Sequence, residues 1–166
     1  IKNSCNYFFA DLGHLLATDS SGNYSADLGM ERIQKYASDF GLDEKTGIEL
    51  DETKPRISNY DPERSAMGQG NHAFNAAQLS RYITAVANSG SVYKLSILDR
   101  IVDPRSNTIE EVAPVLEKKL SYNDTTWNTV HDGLRKVITE GVAQNVFIGQ
   151  SIAVAGKTGT AQERED

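Results

Sequence analysis

The sequence predicts an α+β fold in one compact domain. The chain has 166 residues, of which 39% are hydrophobic and 24% are charged, the size and balance of a single globular domain. Apolar residues recur at helical spacing through most of residues 1–90, whereas β-branched residues gather after that point. Because helical and strand-like segments are segregated rather than alternating, the order favours α+β over a parallel α/β sheet.

The first helix is predicted over residues 6–17, with Asn6 as its N-cap. A polar loop at 18–25 separates it from a second helix, which is predicted to stop at Gly41 because glycine is the preferred residue just beyond a helix C-terminus. The apolar residues of these helices are Phe8, Leu12, Leu15 and Leu16 in the first and Ile33, Tyr36, Ala37 and Phe40 in the second.

A third helix is predicted over residues 76–88, after an irregular segment at 42–61. Asn75 and Gln78 have the spacing of a capping box, in which each side chain bonds the backbone N–H of the other residue. The apolar face of this helix consists of Leu79, Tyr82, Ile83, Val86 and Ala87.

A β-hairpin is predicted next, because residues 92–102 are rich in β-branched and aromatic residues and are followed by turn residues at 103–107 and a second strand at 108–112. This hairpin separates a mainly helical part of the domain, 1–90, from a second part, 91–166.

A fourth helix and a last strand complete the second part. The helix begins near Thr125 and ends near Gly141. Its inward-facing residues are Trp127, Val130, Leu134, Val137 and Ile138. A strand is predicted over 150–162, where Ile152 and Val154 alternate with other residues.

Composition excludes several classes of function. The formal net charge is -6, and an acidic chain without a basic run is a poor partner for nucleic acid. A single cysteine excludes an internal disulfide framework and a cysteine zinc site, and the three histidines are scattered. The longest apolar stretch is far shorter than the roughly 18 residues of a membrane span. No metal or cofactor is therefore expected.

Two glycine-containing segments match phosphate-binding motifs only in part. Gly156-Lys157-Thr158 lacks the first glycine of a P-loop, where Ser151 stands instead. Gly68-Gln69-Gly70 follows no apolar strand, so a turn that needs flexible glycines explains it better than a dinucleotide fingerprint.

Two other motifs, Ser4-Cys5-Asn6 and Lys157-Thr158-Gly159-Thr160, are more informative together. A Ser-x-Asn triplet occurs about once by chance in a chain of this length, whereas Lys-Thr-Gly is expected in roughly one chain in twenty or more. The first motif opens a predicted helix, and the second lies on a predicted strand between small residues.

These motifs resemble those of the class B penicillin-binding proteins, serine acyltransferases that cross-link peptidoglycan. Ser-x-x-Lys, Ser-x-Asn and Lys-Thr-Gly define that superfamily, and this chain holds the second and third. The resemblance covers nearly the whole chain, including segments 6–9, 40–48, 67–70, 78–79, 87–90 and 156–162. It implies a partial serine β-lactamase/penicillin-binding-protein-like transpeptidase fold, with a helical subdomain and part of an antiparallel sheet flanked by helices.

The Ser-x-x-Lys motif, which carries the nucleophile, lies upstream of Ser-x-Asn in that family, and this chain begins too late to contain it. Ser91-Val92-Tyr93-Lys94 has the right letters. However, it falls in a strand-like segment, whereas the nucleophile needs the first turn of a helix so that its lysine is one turn away. The resemblance therefore implies that this chain alone is inactive.

The resemblance implies catalytic roles for Ser4, Asn6 and Lys157. Ser4 would pass a proton toward the leaving amine. Asn6 would orient the lysine of the missing motif and hold the substrate amide, and Lys157 would set positive charge beside the substrate carboxylate. The alternatives are that Ser4 and Asn6 cap the first helix and that Lys157 is a solvated lysine at a strand end. Cys5 is interpreted as a packed or spectator residue.

The resemblance also implies three substrate-binding residues. Thr158 would add a hydroxyl hydrogen bond to the carboxylate. Gly159 would let the substrate backbone lie against the strand. The amide of Thr160 would form half of an oxyanion hole.

The implied activity is D,D-transpeptidation of peptidoglycan stem peptides that end in D-Ala-D-Ala, through a serine acyl-enzyme that β-lactams would also form. Implied partners are the stem peptide, β-lactams and other wall-synthesis proteins. The implied location is the extracytoplasmic face of the bacterial membrane, with an N-terminal anchor absent from this chain. A β-lactam sensor and an inactive scaffold of the wall-synthesis complex remain alternatives, and a β-lactamase is disfavoured because no deacylating group is identifiable.

Overall fold

The computed structural model describes residues 1–160, and its helices and strands confirm the predicted α+β class. The helices are α1 (Asn6–Leu16), α2 (Ala26–Asp39), α3 (Pro62–Ala66), α4 (Ala76–Ala87) and α5 (Asp124–Thr139). The strands are β1 (Ser91–Tyr93), β2 (Arg100–Val102), β3 (Thr108–Glu111) and β4 (Leu116–Lys119), and a 3-10 turn spans Gln144–Val146. Among the described residues, no helix is both long enough and apolar enough to cross a lipid bilayer.

The chain forms two compact units. One comprises Ile1–Gln34, Ser58–His72 and residues 122–160, and the other comprises Lys35–Ile57 and Ala73–Ser121. Each unit is therefore assembled from segments that are distant in sequence.

Helix α5 carries the hydrophobic core of the first unit. The predicted helix is confirmed, and Asn123 caps it by accepting a hydrogen bond from the Thr126 amide at 2.8 Å. The core consists of Val137, Ile138 and Ala143, with Ile1, Phe147 and Val154 packed against it. Residues from the beginning of the chain and from beyond α5 thus share one cluster.

Helices α1 and α3 pack backbone to backbone in the same unit. A Cβ atom on Gly13 would lie 2.5 Å from the carbonyl oxygen of Pro62 and 2.7 Å from Cα of Glu63. Helix α3 was not predicted, because a five-residue helix is too short to show an apolar period. Its sequence signal is the pair Asp61-Pro62, in which the Asp61 side chain accepts from the Arg64 amide at 2.9 Å.

The predicted N-cap of α1 is wrong. The helix begins at Asn6, and Cys5 is the N-cap, with extended backbone angles and no side-chain cap hydrogen bond. An N-cap residue needs such extended angles, whereas Asn6 already has helical ones. The predicted apolar stripe of α1 is largely exposed, with Phe8 at 54% and Leu15 at 60%.

The second unit contains α4, whose predicted capping box is confirmed. Asn75 accepts from the Gln78 amide at 2.9 Å, and Gln78 accepts from the Asn75 amide at 2.9 Å. The predicted burial of this helix is wrong in part: Val86 is buried, but Leu79 and Ile83 are exposed.

Two polar side chains of α4, Arg81 and Gln78, are buried instead. The Arg81 guanidinium donates to the carbonyl oxygens of Gly41 at 2.5 Å and Lys45 at 3.2 Å, and Gln78 donates to that of Thr53 at 3.2 Å. Residues 42–61 are irregular, as predicted. The backbone carbonyls of this segment and of Gly41 before it lack partners in a regular helix or sheet and need other donors, which explains why α4 buries a polar face against them.

The strands of the second unit form two antiparallel pairs, β1 with β4 and β2 with β3. The predicted hairpin is confirmed as β2 and β3, although the strand predicted over 92–102 is interrupted between β1 and β2. Strand β4 was missed because its sequence, Leu-Glu-Lys-Lys, is mostly charged and its strand character comes from pairing with β1.

The strand predicted over 150–162 is not formed within residues 150–160, and Ala161 and Gln162 lie outside the described residues. The segment runs beside α5: the Gly156 amide donates to the Leu134 carbonyl at 3.2 Å, and the Arg135 guanidinium donates to the Val154 carbonyl. A strand requires a ladder with a neighbouring strand. Here the partner is a helix, so the alternating pattern does not produce one.

Candidate active site

Ser4 and Lys157 lie side by side in the first unit, although 153 positions separate them. Nζ of Lys157 donates to Oγ of Ser4 at 2.8 Å. The packing on α5 explains this contact, because Ile1 and Val154 join the same core cluster and each precedes its site residue by three positions. The two predicted motifs therefore meet in space.

Both segments are also tied to α5 by polar contacts close to the site. Nζ of Lys2 forms an ion pair with Glu140 at 2.9 Å, and the Val142 amide donates to the Lys2 carbonyl at 3.4 Å. The hydrogen bond from Lys2 lowers the pKa of Glu140. On the other side, the Gly156 amide donates to the Leu134 carbonyl and Arg135 donates to the Val154 carbonyl, and these two bonds hold the chain just before Lys157. α5 is thus the scaffold of the site.

The backbone of Ser4 adopts a left-handed conformation, with φ of 48°. Such a conformation costs on the order of 1 kcal/mol for a residue with a Cβ atom, and residues of this kind cluster at functional sites. The Ser4 hydroxyl bonds Lys157, and the N-cap Cys5 has no side-chain cap hydrogen bond. Helix capping therefore does not account for Ser4 or Asn6.

Lys157 joins its neighbouring hydroxyl groups in a single polar cluster. Beyond Ser4, its Nζ donates to the Thr158 carbonyl at 2.9 Å and lies 3.5 Å from Thr158 Oγ1. An ammonium has three N–H donors, and a contact of 3.5 Å is too long to be a strong hydrogen bond. Among the residues that the structure describes, this long contact to the Thr158 hydroxyl is the third polar contact of the ammonium.

The three predicted substrate-binding residues, Thr158, Gly159 and Thr160, are exposed. A Cβ atom on Gly159 would meet none of the described residues within 4 Å. The carbonyl oxygen of Thr160 accepts a hydrogen bond from Nε2 of Gln69 at 3.3 Å. Sequence reasoning assigned no role to Gln69, and its only signal was the resemblance of segment 67–70.

The remaining candidates fall into two groups. Asn6 and Cys5 are exposed at the start of α1, so Cys5 is not packed. Ser91 lies in β1 of the second unit, where its Oγ accepts from Lys119 at 2.8 Å. A strand does not bring Lys94 one helical turn from Ser91, so the interpretation of this stretch as an ordinary β segment is confirmed.

Sequence comparison connects the site to a known family. A family model described as the penicillin-binding protein transpeptidase domain matches residues 1–166. The stage V sporulation protein D of Bacillus subtilis is 30% identical over 100% of this chain and 25% of its own length. The protein named peptidoglycan D,D-transpeptidase MrdA of Haemophilus influenzae is 25% identical over 87% of this chain and 25% of its own length. The chain thus spans about a quarter of the length of these relatives.

Solved structures share the fold. Penicillin-binding protein 2B of Streptococcus pneumoniae has a TM-score of 0.81 at 22% identity, over 97% of this chain and 29% of that chain. Penicillin-binding protein A of M. tuberculosis, solved as an imipenem acyl-enzyme complex, has a TM-score of 0.73 at 17% identity, over 97% of this chain and 35% of that chain. The predicted transpeptidase-like fold is confirmed.

Proposed function

Because the chain belongs to the penicillin-binding protein transpeptidase domain family, we propose that the protein containing it is a peptidoglycan D,D-transpeptidase. It would cross-link stem peptides ending in D-Ala-D-Ala through a serine acyl-enzyme. The observation that carries the proposal is the 2.8 Å hydrogen bond between Lys157 and Ser4, which joins the two motifs that the family resemblance singles out.

The nucleophile of this proposal is the serine of a Ser-x-x-Lys segment upstream of Ser4, so residues 1–166 alone would not turn over substrate. Two observations support this division. Ser91 lies in a strand and bonds Lys119. The face of α1 that includes Phe8, Leu12 and Leu15 is exposed, and apolar faces of this kind are normally covered by further protein.

Acylation would proceed by attack of that serine oxygen on the carbonyl carbon of the penultimate D-Ala, while the lysine of Ser-x-x-Lys takes up the serine proton. The C–N bond to the last D-Ala breaks, and its nitrogen takes up a proton as it leaves. Ser4 would donate this proton and regain one from the upstream lysine, which carries the proton of the nucleophile. Lys157 donates to Ser4 Oγ, so the Ser4 O–H can point toward the leaving nitrogen. An amine of a second stem peptide would then resolve the acyl-enzyme and complete the cross-link.

Substrate recognition would use the same cluster. Lys157 and the Thr158 hydroxyl would bind the free carboxylate of the terminal D-Ala, a charge-assisted interaction. Gly159 would allow the substrate backbone to approach, and the Thr160 amide would stabilise the oxyanion. Asn6 would orient the upstream lysine and bond the substrate amide. A penicillin has a carboxylate and a strained amide, so it would acylate the serine by the same contacts.

The substrate lies outside the cytoplasmic membrane, so the proposal sets this domain on the extracytoplasmic face, anchored by a segment outside the chain. Partners would be stem peptides, β-lactams and other wall-synthesis proteins.

The test is turnover of a synthetic peptide ending in D-Ala-D-Ala by the chain extended upstream through Ser-x-x-Lys. With an amine acceptor present, a transpeptidase releases D-Ala and forms the transfer product. A β-lactam sensor would be acylated by penicillin but release no D-Ala, and a scaffold would do neither; either result contradicts the proposal. Ser4→Ala should slow D-Ala release by about 10²-fold or more. The control Ser20→Ala, in an exposed loop, should not.

A further inference from the structure

The peptide segment that carries Thr160 needs an anchor. A Cβ atom on Gly159, the preceding residue, would meet no described residue within 4 Å, and glycine has the widest choice of backbone conformations. The segment is not held in a strand ladder within the described residues. The hydrogen bond from Gln69 to the Thr160 carbonyl, at 3.3 Å, is therefore a contact that can fix this residue.

The C-terminal cap of α3 holds the backbone of Gln69. The Gly68 amide donates to the Ser65 carbonyl and the Gln69 amide donates to the Arg64 carbonyl, each at 3.0 Å. Gly68 has a φ of 85°. This combination is a Schellman motif, with Gly68 at C′ and Gln69 as the next residue. The backbone of Gln69 is consequently fixed relative to α3.

Two buried hydroxyl groups pack against the same turn. Ser58 and Ser65 are buried, and their Oγ atoms are 2.7 Å apart. A Cβ atom on Gly70 would lie 2.7 Å from Ser58 Oγ, so the turn fits tightly over these hydroxyl groups. Nδ1 of His72 accepts from the Ser58 amide at 2.9 Å, which leaves the proton on Nε2, 3.3 Å from the Ser65 carbonyl.

We propose that Gln69 is a positioning residue, which anchors the Thr160 carbonyl to the turn after α3 so that the Thr160 amide keeps its orientation as an oxyanion donor. The inference rests on the proposed acyl transfer and adds a residue to it. Gln69 does not touch the reacting atoms. It acts through Thr160, and a misplacement of about 1 Å in a catalytic site can cost about 10²-fold in rate.

The test measures acylation by a fluorescent penicillin of the chain extended upstream through Ser-x-x-Lys, over a range of penicillin concentrations. This gives the limiting acylation rate constant and the half-saturation concentration separately. Gln69→Met removes the donor at constant length, and Gln69→Asn keeps the amide but is one methylene too short. Gln150→Met is the control, because Gln150 is exposed and lies outside the site. Thermal unfolding is measured for every variant.

Both Gln69 variants should lower the limiting rate constant by about tenfold to 10²-fold. This effect should not exceed that of removing an oxyanion donor, which costs about 10²- to 10³-fold in rate. The half-saturation concentration and melting temperature of both variants should match those of Gln150→Met. An unchanged rate constant in the Gln69 variants, or a loss confined to the half-saturation concentration, overturns the inference. If the unsubstituted extended chain is not acylated at all, the proposed function itself is contradicted. That result differs from the two above, in which the unsubstituted chain is acylated and only the role of Gln69 is contradicted.

Discussion

Lys157 serves two steps of the proposed reaction from one position. Its Nζ donates to Ser4 Oγ and lies beside the Thr158 hydroxyl. The first contact supports proton transfer to the leaving amine, and the second prepares a site for a carboxylate. A compact ammonium with three donors suits both tasks, because its donors diverge from a single atom.

Substitution of Lys157 should abolish selection for a free carboxylate. We expect the extended chain to react faster with penicillin than with its methyl ester, by about 10- to 10²-fold, since hydrogen bonds to charged groups contribute roughly 1.5–3 kcal/mol. Lys157→Met should react with both compounds at similar, low rates. The exposed Lys54→Met should keep the original preference. A preference for the acid that survives in Lys157→Met would place carboxylate recognition elsewhere.

His72 should make the domain less stable in mild acid. Burial lowers the pKa of His72 below the ordinary histidine value of 6.5. Between the unfolded-state pKa and the lower folded-state pKa, the unfolded chain therefore binds more protons than the folded chain. As the pH is lowered through this range, the free energy of unfolding decreases, and the decrease ends below the folded-state pKa. We expect urea titrations between pH 7 and 5 to show this slope. It should be absent in His72→Gln and retained in His14→Gln, where His72 is intact; equal slopes in the two variants would refute the assignment.

At the residue scale, the candidate site residues were predicted from the family resemblance and not from their spacing. Nothing in the local sequence of Ser4 or Lys157 reveals that two residues 153 positions apart share a hydrogen bond. The contact of Gln69 was missed because its side chain donates to a backbone carbonyl, and the sequence does not show which side chain a backbone carbonyl will accept from.

At the scale of secondary structure, elements with local signals were predictable and those that depend on partners were not. The capping box of Asn75 and Gln78 fixed the start of α4 correctly. Strand β4 forms because it pairs with β1. Residues 150–160 form no strand because they lie beside α5. Neither neighbour can be read from the segment itself.

The contact between α1 and α3 leads to a stability prediction. Gly13→Ala would force a Cβ atom against the backbone of Pro62 and Glu63, which cannot move aside, so we expect a loss of about 1–3 kcal/mol in the free energy of unfolding. Gly133→Ala in α5 is the matched control. Its Cβ atom would lie 2.8 Å from Cδ1 of Ile1, which can rotate away, and 3.2 Å from Cβ of Ile1, which needs only a small shift of the first residue of the chain. Alanine also favours a helix by about 0.5–1 kcal/mol over glycine. Chemical denaturation of both variants would measure this difference, and equal stabilities would contradict the packing described.

At the scale of the whole chain, α5 explains how a site forms from segments at opposite ends of the sequence. The core cluster takes Ile1 from one end and Val154 from the other, and the site residues follow each by three positions. The fold class was predictable because helical and strand-like segments are segregated. The assembly of each unit from distant segments was not, because it arises from packing between elements.

We propose above that these residues form part of an acyltransferase site whose nucleophile lies upstream. Intact mass after incubation with excess penicillin tests it most directly, on residues 1–166 and on a chain extended upstream through Ser-x-x-Lys. We predict one penicillin adduct on the extended chain, mapped to the upstream serine, and none on residues 1–166. A folded extended chain that stays unmodified, or an adduct on Ser91, would contradict the claim.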